Sequence, residues 1–294
     1  MKHWLEYAVL RGCQIILNLI PYFLAAFAAR AFAWFVVVVL RFKGNRTRTR
    51  IRSVFPGLPD REVRKIAVRS LQNIFLTGVE MMRSYKLDRA WMDRHVVDGE
   101  KYAAVVRGLL AEGRGVVIMV PHSGNWYMAA WAMARYGLPL FAIAARQRNR
   151  YLDRWMNRQY ADIEVLDRDN RDTLVKIKEY LQAGRAFAIL PDLRVRHRDT
   201  EVDFFGAKAN VSHAGAAFAV NNGCPIVVAQ MVRDGSKHVI NYLATLRPDS
   251  DADRKTEARR LTREAMKLLD EAVRKHPGDW FWYNKRWILE PPEK

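Results

Sequence analysis

Short apolar runs recur through the middle of this chain, and none of them alternates with polar residues. GVVIMV (115–120), LPLFAIAA (138–145), AFAILP (186–191) and PIVVAQMV (225–232) are the clearest. Runs of this length and continuity read as strands buried on both faces of a sheet. Between them lie segments with helical periodicity: NWYMAAWAMARY, closed by Gly137, then residues 149–162, residues 172–183 and residues 212–222. Residues 163–166 and HVINYLATL (238–246) add two strands, and 251–275 is a long charged helix with Ser250 placed to cap it. Strands alternating with helices predict an α/β fold, a mostly parallel central sheet flanked by helices. In open sheets of this kind ligands bind beyond the carboxyl ends of the strands. His122 and Asp192 each fall just after such an end.

The amino-terminal part has a different character. Residues 12–29 carry no charge, although Pro21 interrupts them. Arg30 follows, then AFAWFVVVVL and Arg41. About 20 apolar residues suffice to cross a bilayer, so residues 12–40 are long enough. An arginine at the bilayer centre is costly unless it snorkels, which favours an interfacial or tilted arrangement. The segment is too long for a cleavable leader and lacks a small-residue cleavage site. The expectation is a membrane-anchoring helical segment at 1–43 and an α/β domain at 44–294. A buried pair of core helices is the competing reading. RFKGNRTRTRIR follows directly, with six basic residues and no acid, and reads as a polybasic flank on the cytoplasmic face.

Charge is where composition matters. Lys and Arg number 49 against 31 Asp and Glu, a formal charge of +18, which suits a polyanionic partner. An anionic membrane lipid is favoured over nucleic acid, because no recognition module accompanies the charge. The two cysteines, Cys13 and Cys224, show no metal-like spacing. No metal site and no cofactor are expected.

VPHSGNWY (120–127) joins the first strand to the next helix. Gly124 permits close backbone approach and Asn125 can cap the helix. The helix N-terminus offers N–H groups to an oxyanion or a phosphate. His122 is placed to act as a general base toward a hydroxyl, while a satisfied turn histidine is the structural alternative. Ser123 is a poor nucleophile, since no G-x-S-x-G elbow surrounds it.

These residues resemble the family of the late lipid A acyltransferases, the lauroyl and myristoyl transferases, within the lysophospholipid-acyltransferase-like superfamily. The mycobacterial phosphatidylinositol mannoside acyltransferase is similar too. The likeness rests on IRSVFPGLPDREVRKIAVRSLQN, GRGVVIMVPHSGNW, ARQRNRYLDRWMNRQY, LPDLRVRHRDTEVDFFGAKANVSHAGAAFAV and HPGDWFWYNKRW. It implies a membrane-associated acyltransferase at the inner face of a bacterial plasma membrane. The acyl group would pass from an acyl thioester, on acyl carrier protein or coenzyme A, to a hydroxyl of a lipid A precursor or similar anionic lipid. The resemblance makes His122 the base and expects an acid at position 127, where this chain has Tyr127. Three readings stay open: Asp192 or Glu201 reaches His122 instead, Tyr127 serves as a weak orienter, or the chain is an inactive lipid-binding homologue. Ser123, Gly124 and Asn125 are expected to bind substrate at this turn; by the resemblance Arg146 and Arg158 lie in a segment that holds acidic groups of donor or acceptor, with plain surface charge as the alternative. Trp280, Trp282, Arg286 and Trp287 form either an interfacial aromatic-basic face or a cover over the core.

Overall fold

Apolar runs without alternation are satisfied only at the centre of a sheet covered on both faces, and that is where they lie. The computed structural model describes residues 1–41, 44–160 and 163–291. Strands β1 (Val96–Val97), β2 (Val116–Met119), β3 (Leu140–Ala144), β4 (Glu164–Asp167), β5 (Ala186–Ile189), β8 (Ile226–Asp234) and β9 (Lys237–Leu246) form one sheet, ordered β1-β9-β8-β2-β5-β3-β4. Only the β8–β9 pair is antiparallel. Strands β6 (Thr200–Phe204) and β7 (Ala207–Val211) make a separate antiparallel hairpin. The mostly parallel α/β sheet expected from the sequence is present.

All four residues of β2 are buried, and they serve two cores. Val116 and Ile118 face α6 (Gly99–Leu110) and α7 (Trp126–Arg135), with Met128, Trp131 and Met133. Val117 and Met119 face α9 (Thr173–Gln182), α10 (Ala214–Asn222) and α11 (Arg254–Lys275), with Ile177, Leu181 and Leu269. Helix α5 (Arg89–His95), capped by the Asp88 carboxylate, leads into β1, and α8 (Arg150–Gln159) follows β3. Asp253, not Ser250, caps α11, because its carboxylate accepts the Thr256 N–H at 2.9 Å. The expected helix over 149–162 runs to Gln159, and residues 161–162 lie outside the described residues.

The amino-terminal apolar stretch forms two helices, α1 (Lys2–Leu19) and α2 (Tyr22–Val38), broken at Ile20–Pro21 because proline cannot continue the hydrogen-bond ladder. Among the described residues no helix is long and apolar enough to cross a membrane. Of the two arrangements left open for residues 12–40, spanning or interfacial, the spanning one has no single helix among the described residues to support it. Helix α2 lays Ala25, Ala26, Ala33 and Val36 inward, near α4 (Asp60–Met82), and α3 (Gly44–Val54) joins the two. The Arg30 guanidinium donates to the carbonyl of Gly235, an exposed turn residue, at 3.1 Å. The Gln14 and Asn18 side-chain amides donate to the Met82 carbonyl at the end of α4.

A buried ion pair ties α4 to the sheet. The Glu80 side chain is 0% exposed, and Arg233 of β8 grips it at 2.6 and 2.8 Å. Burial alone would push the Glu80 carboxyl up, but the Arg233 guanidinium, with His238 nearby, holds it well below the usual range. Removing one partner leaves an uncompensated buried charge. We expect Arg233→Met to lower the unfolding free energy by about 3–5 kcal/mol in urea titration. Glu80→Leu combined with Arg233→Met loses less than the sum of the single changes; additive losses would show that the pair is not coupled.

Candidate active site

Parallel register brings together two residues that are distant along the chain. Met119 of β2 lies opposite Ile189 of β5. Three residues beyond each comes His122 and Asp192, so the two emerge side by side at the carboxyl edge. The His122 Nδ1 and Asp192 Oδ1 atoms are 2.7 Å apart, and the His122 backbone N–H donates to Asp192 Oδ2 at 2.8 Å. The indole N–H of Trp280 donates to the same Oδ2 at 2.7 Å. The Asp192 side chain is 0% exposed and that of His122 is 17% exposed. Burial would push the Asp192 carboxyl up, but the His122 ring and the three hydrogen bonds together hold it below its ordinary value. An ionised carboxylate only accepts, so Nδ1 carries a proton, and in the neutral ring Nε2 is the acceptor.

The loop that holds His122 is locked from several sides. Gly124 has φ +57°, and a Cβ there would sit 2.6 Å from the Met231 carbonyl, so only glycine fits. The Gly124 N–H donates to the Asp279 carbonyl at 2.8 Å, and the Phe281 N–H donates to the His122 carbonyl at 2.9 Å. Asn125 caps α7 by accepting the Met128 N–H at 2.9 Å, as its position suggested. Ser123 Oγ accepts from the Gln230 side chain at 3.2 Å. Ser123, Gly124 and Asn125 are buried and none of them lines the cavity described next. They build the loop rather than face a ligand, and the engaged Gly124 N–H is closed to an oxyanion.

His122 opens onto an apolar cavity of about 580 Å³. Its lining draws Ile118, Met133, Ile163 and Tyr102 from the core on the α7 side of the sheet, and Ile177 and Phe218 from the core on the other side. Tyr127 lines it, with ring centroids 5.8 Å from Tyr160 and 6.1 Å from Trp131. Burial, with Tyr127 beside it, pushes the Tyr160 phenol upward. Tyr127 is thus one wall of an aromatic box, and the carboxylate bonded to His122 is Asp192. Glu201 does not reach the histidine: it is exposed on β6, 3.8 Å from the Lys208 ammonium. A second hollow, of about 660 Å³, lies by the amino ends of β2 and β8 and contains Arg114 and Arg254 but none of these groups.

The arginines at the cavity are not the ones expected. Arg146 is exposed and pairs with Asp167 at 2.7 Å, and Arg158 is exposed on α8. Arg168, Arg194 and Arg286 line the cavity instead. Arg168 follows directly on β4, so the strand-end rule that picked out His122 would have found it. Trp280, Trp282 and Trp287 are buried among Phe205 and one another, which settles the carboxyl-terminal tail as a cover over the core.

Known proteins share this chain's sequence to different extents. Phosphatidylinositol mannoside acyltransferase of Mycobacterium tuberculosis is 25% identical over 192 residues, 63% of this chain and 58% of that protein. The protein of the same name from Mycolicibacterium smegmatis is 25% identical over 186 residues, 62% and 59% of the two chains. The match thus spans less than two thirds of the length of these curated relatives. The crystal structure of the 1-acyl-sn-glycerophosphate acyltransferase PlsC from Thermotoga maritima aligns over 87% of this chain and 98% of that chain, with a TM-score of 0.41 and 16% identity. The sequence model of the bacterial lipid A biosynthesis acyltransferases matches residues 1–288, nearly the whole chain. This protein belongs to the bacterial lipid A biosynthesis acyltransferase family.

Proposed function

We propose that this protein transfers a fatty acyl chain from a thioester, on acyl carrier protein or coenzyme A, to a hydroxyl of a lipid A precursor or similar anionic lipid. The observation that carries the reading is the 2.7 Å contact of His122 with buried Asp192 at an apolar cavity. His122 Nε2 takes the hydroxyl proton as the oxygen attacks the thioester carbonyl. Asp192 orients the ring and stabilises the imidazolium, as the third member of a triad does. The first turn of α7 and an arginine at the cavity stabilise the tetrahedral oxyanion. The carbon–sulfur bond then breaks, and the thiolate leaves with the proton that the imidazolium held. The apolar cavity takes the acyl chain and excludes water from the thioester.

The carboxylate on His122 removes the main support for an inactive homologue, because the acid missing at position 127 has a substitute. The chemistry needs no bound metal or cofactor in this scheme.

Membrane contact is part of the same proposal. Of the large apolar side chains that are exposed among the described residues, most belong to α1 and α2, including Trp4, Phe23, Phe27 and Trp34. Basic residues of α3 follow directly. Such a face suits an interfacial position on an anionic bilayer, at the cytoplasmic face of the membrane that supplies the lipid.

Turnover of acyl thioester with lipid acceptor tests the chemistry. His122→Ala is expected to lower kcat by about 10²- to 10⁴-fold, and Asp192→Asn by a similar factor because it inverts the preferred tautomer. Unchanged turnover in His122→Ala would sink the mechanism. Tyr127→Glu is expected to give no gain in kcat and to lower the melting temperature, since it puts a charge against Tyr160 and Trp131. A clear rise in kcat would instead mean that Asp192 does not serve as the orienting carboxylate.

A further inference from the structure

Glu80 accepts more than its ion pair. Asn125 donates to Glu80 Oε2 through its side-chain amide at 2.6 Å, and the Tyr22 hydroxyl donates to Oε1 at 2.6 Å. Tyr22 is the first residue of α2, followed at once by exposed Phe23 and Leu24. Asn125 is 0% exposed and stands three residues after His122. Its carbonyl oxygen caps α7 while its amide group is held by Glu80, so its orientation is set from both ends. A continuous path of short hydrogen bonds therefore runs from the exposed apolar helices to the loop of the base.

The rest of the network closes on the same loop. Arg233, which grips Glu80, also donates to Asn73 at 3.1 Å, and Asn73 donates to the Asp279 carboxylate at 2.5 Å. Asp279 in turn holds the Gly124 N–H through its carbonyl. Glu80 is linked to both Gly124 and Asn125, one link through Asp279 and one direct. Of the groups that meet Glu80 at hydrogen-bond distance, Tyr22 is the one on the helices with the exposed apolar face. Its ring also lies under the Arg83 guanidinium, 5.9 Å from the centroid.

We propose that Tyr22 is a positioning residue that, through Glu80 and Asn125, makes the order of the His122 loop depend on contact between helices α1–α2 and an anionic lipid bilayer. The proposal rests on the interfacial reading of those helices and on His122 as the base. Its physical basis is desolvation. A bond from Tyr22 to a buried carboxylate is strong only while α2 is seated and water is kept out. Seating the apolar face of α2 in lipid favours the conformers in which that bond is made. The His122 loop then spends more of its time in the arrangement bonded to Asp192.

The test compares the full chain with Tyr22→Phe on vesicles of mixed phosphatidylglycerol and phosphatidylcholine. Flotation measures binding. Hydrogen–deuterium exchange of the peptide covering residues 120–128 reports the loop without any need for turnover. Steady-state kinetics separate kcat from KM. In the native chain vesicles are expected to slow exchange in this peptide and raise kcat about tenfold, with the thioester KM unchanged. Tyr22→Phe is expected to float equally well and to match native exchange without vesicles, yet to lose both vesicle responses. The proposal is overturned if Tyr22→Phe keeps the full responses, if the native chain fails to float, or if floating leaves the loop's exchange unaltered. Vesicle-dependent protection in a chain with no turnover would keep the coupling and refute the acyl-transfer reading alone.

Discussion

Asp192 is an ionised carboxylate with no access to water, and a group in that state has to be surrounded by donors. It finds three of them on two separate segments: the backbone and ring of His122 after β2, and the indole of Trp280 from the carboxyl-terminal tail. Each donor lowers the cost of burying the charge. The same bonds draw the tail across the sheet edge, where Ser123 and Trp280 form an isolated β-bridge. The arrangement that keeps Asp192 charged is thus also the one that sets the tautomer of His122. Burial of the carboxylate and orientation of the proposed base depend on the same set of bonds.

Glu80 repeats the theme on the other side of the loop. It is as deeply buried, and Arg233 supplies most of its compensation. Two buried carboxylates flank one glycine-dependent turn, each bonded to a residue of that turn. Partly satisfied buried networks are costly, whereas fully satisfied ones specify a single geometry. Here the result is a loop hydrogen-bonded on both sides, next to an apolar cavity. Such a division would suit the proposed acyl transfer, in which a long, flexible chain is accommodated while its carbonyl is held still.

Much of the fold was legible because a parallel sheet leaves a strong trace. Strands β2, β3, β5 and β8 were readable as continuous apolar runs, and Gly137 and Gly184 marked helix ends. Residues 89–97 were harder, since α5 has seven residues and β1 only two. The β6–β7 hairpin was missed because its two-residue turn, Phe205–Gly206 with φ 56° and 75°, has phenylalanine where asparagine, aspartate or glycine is the usual signal. The cap of α11 was misplaced by three residues because Ser250, Asp251 and Asp253 are all competent acceptors. Tail tryptophans read equally well as membrane-facing or buried, since an indole satisfies both environments.

The sequence by itself determined that His122 stands where a buried strand gives way to a helix, with glycine and asparagine suited to that turn. It also showed that position 127 has no carboxylate. Which acid serves the histidine was decided by tertiary structure alone. Asp192 and Glu201 are both chain-distant from His122, and local patterning cannot rank them. The choice follows from β2 and β5 being hydrogen-bonded neighbours in parallel register, which brings Asp192 to the imidazole and leaves Glu201 on a separate hairpin. Strand adjacency is a property of how the whole chain packs, so no stretch of residues read alone contains it.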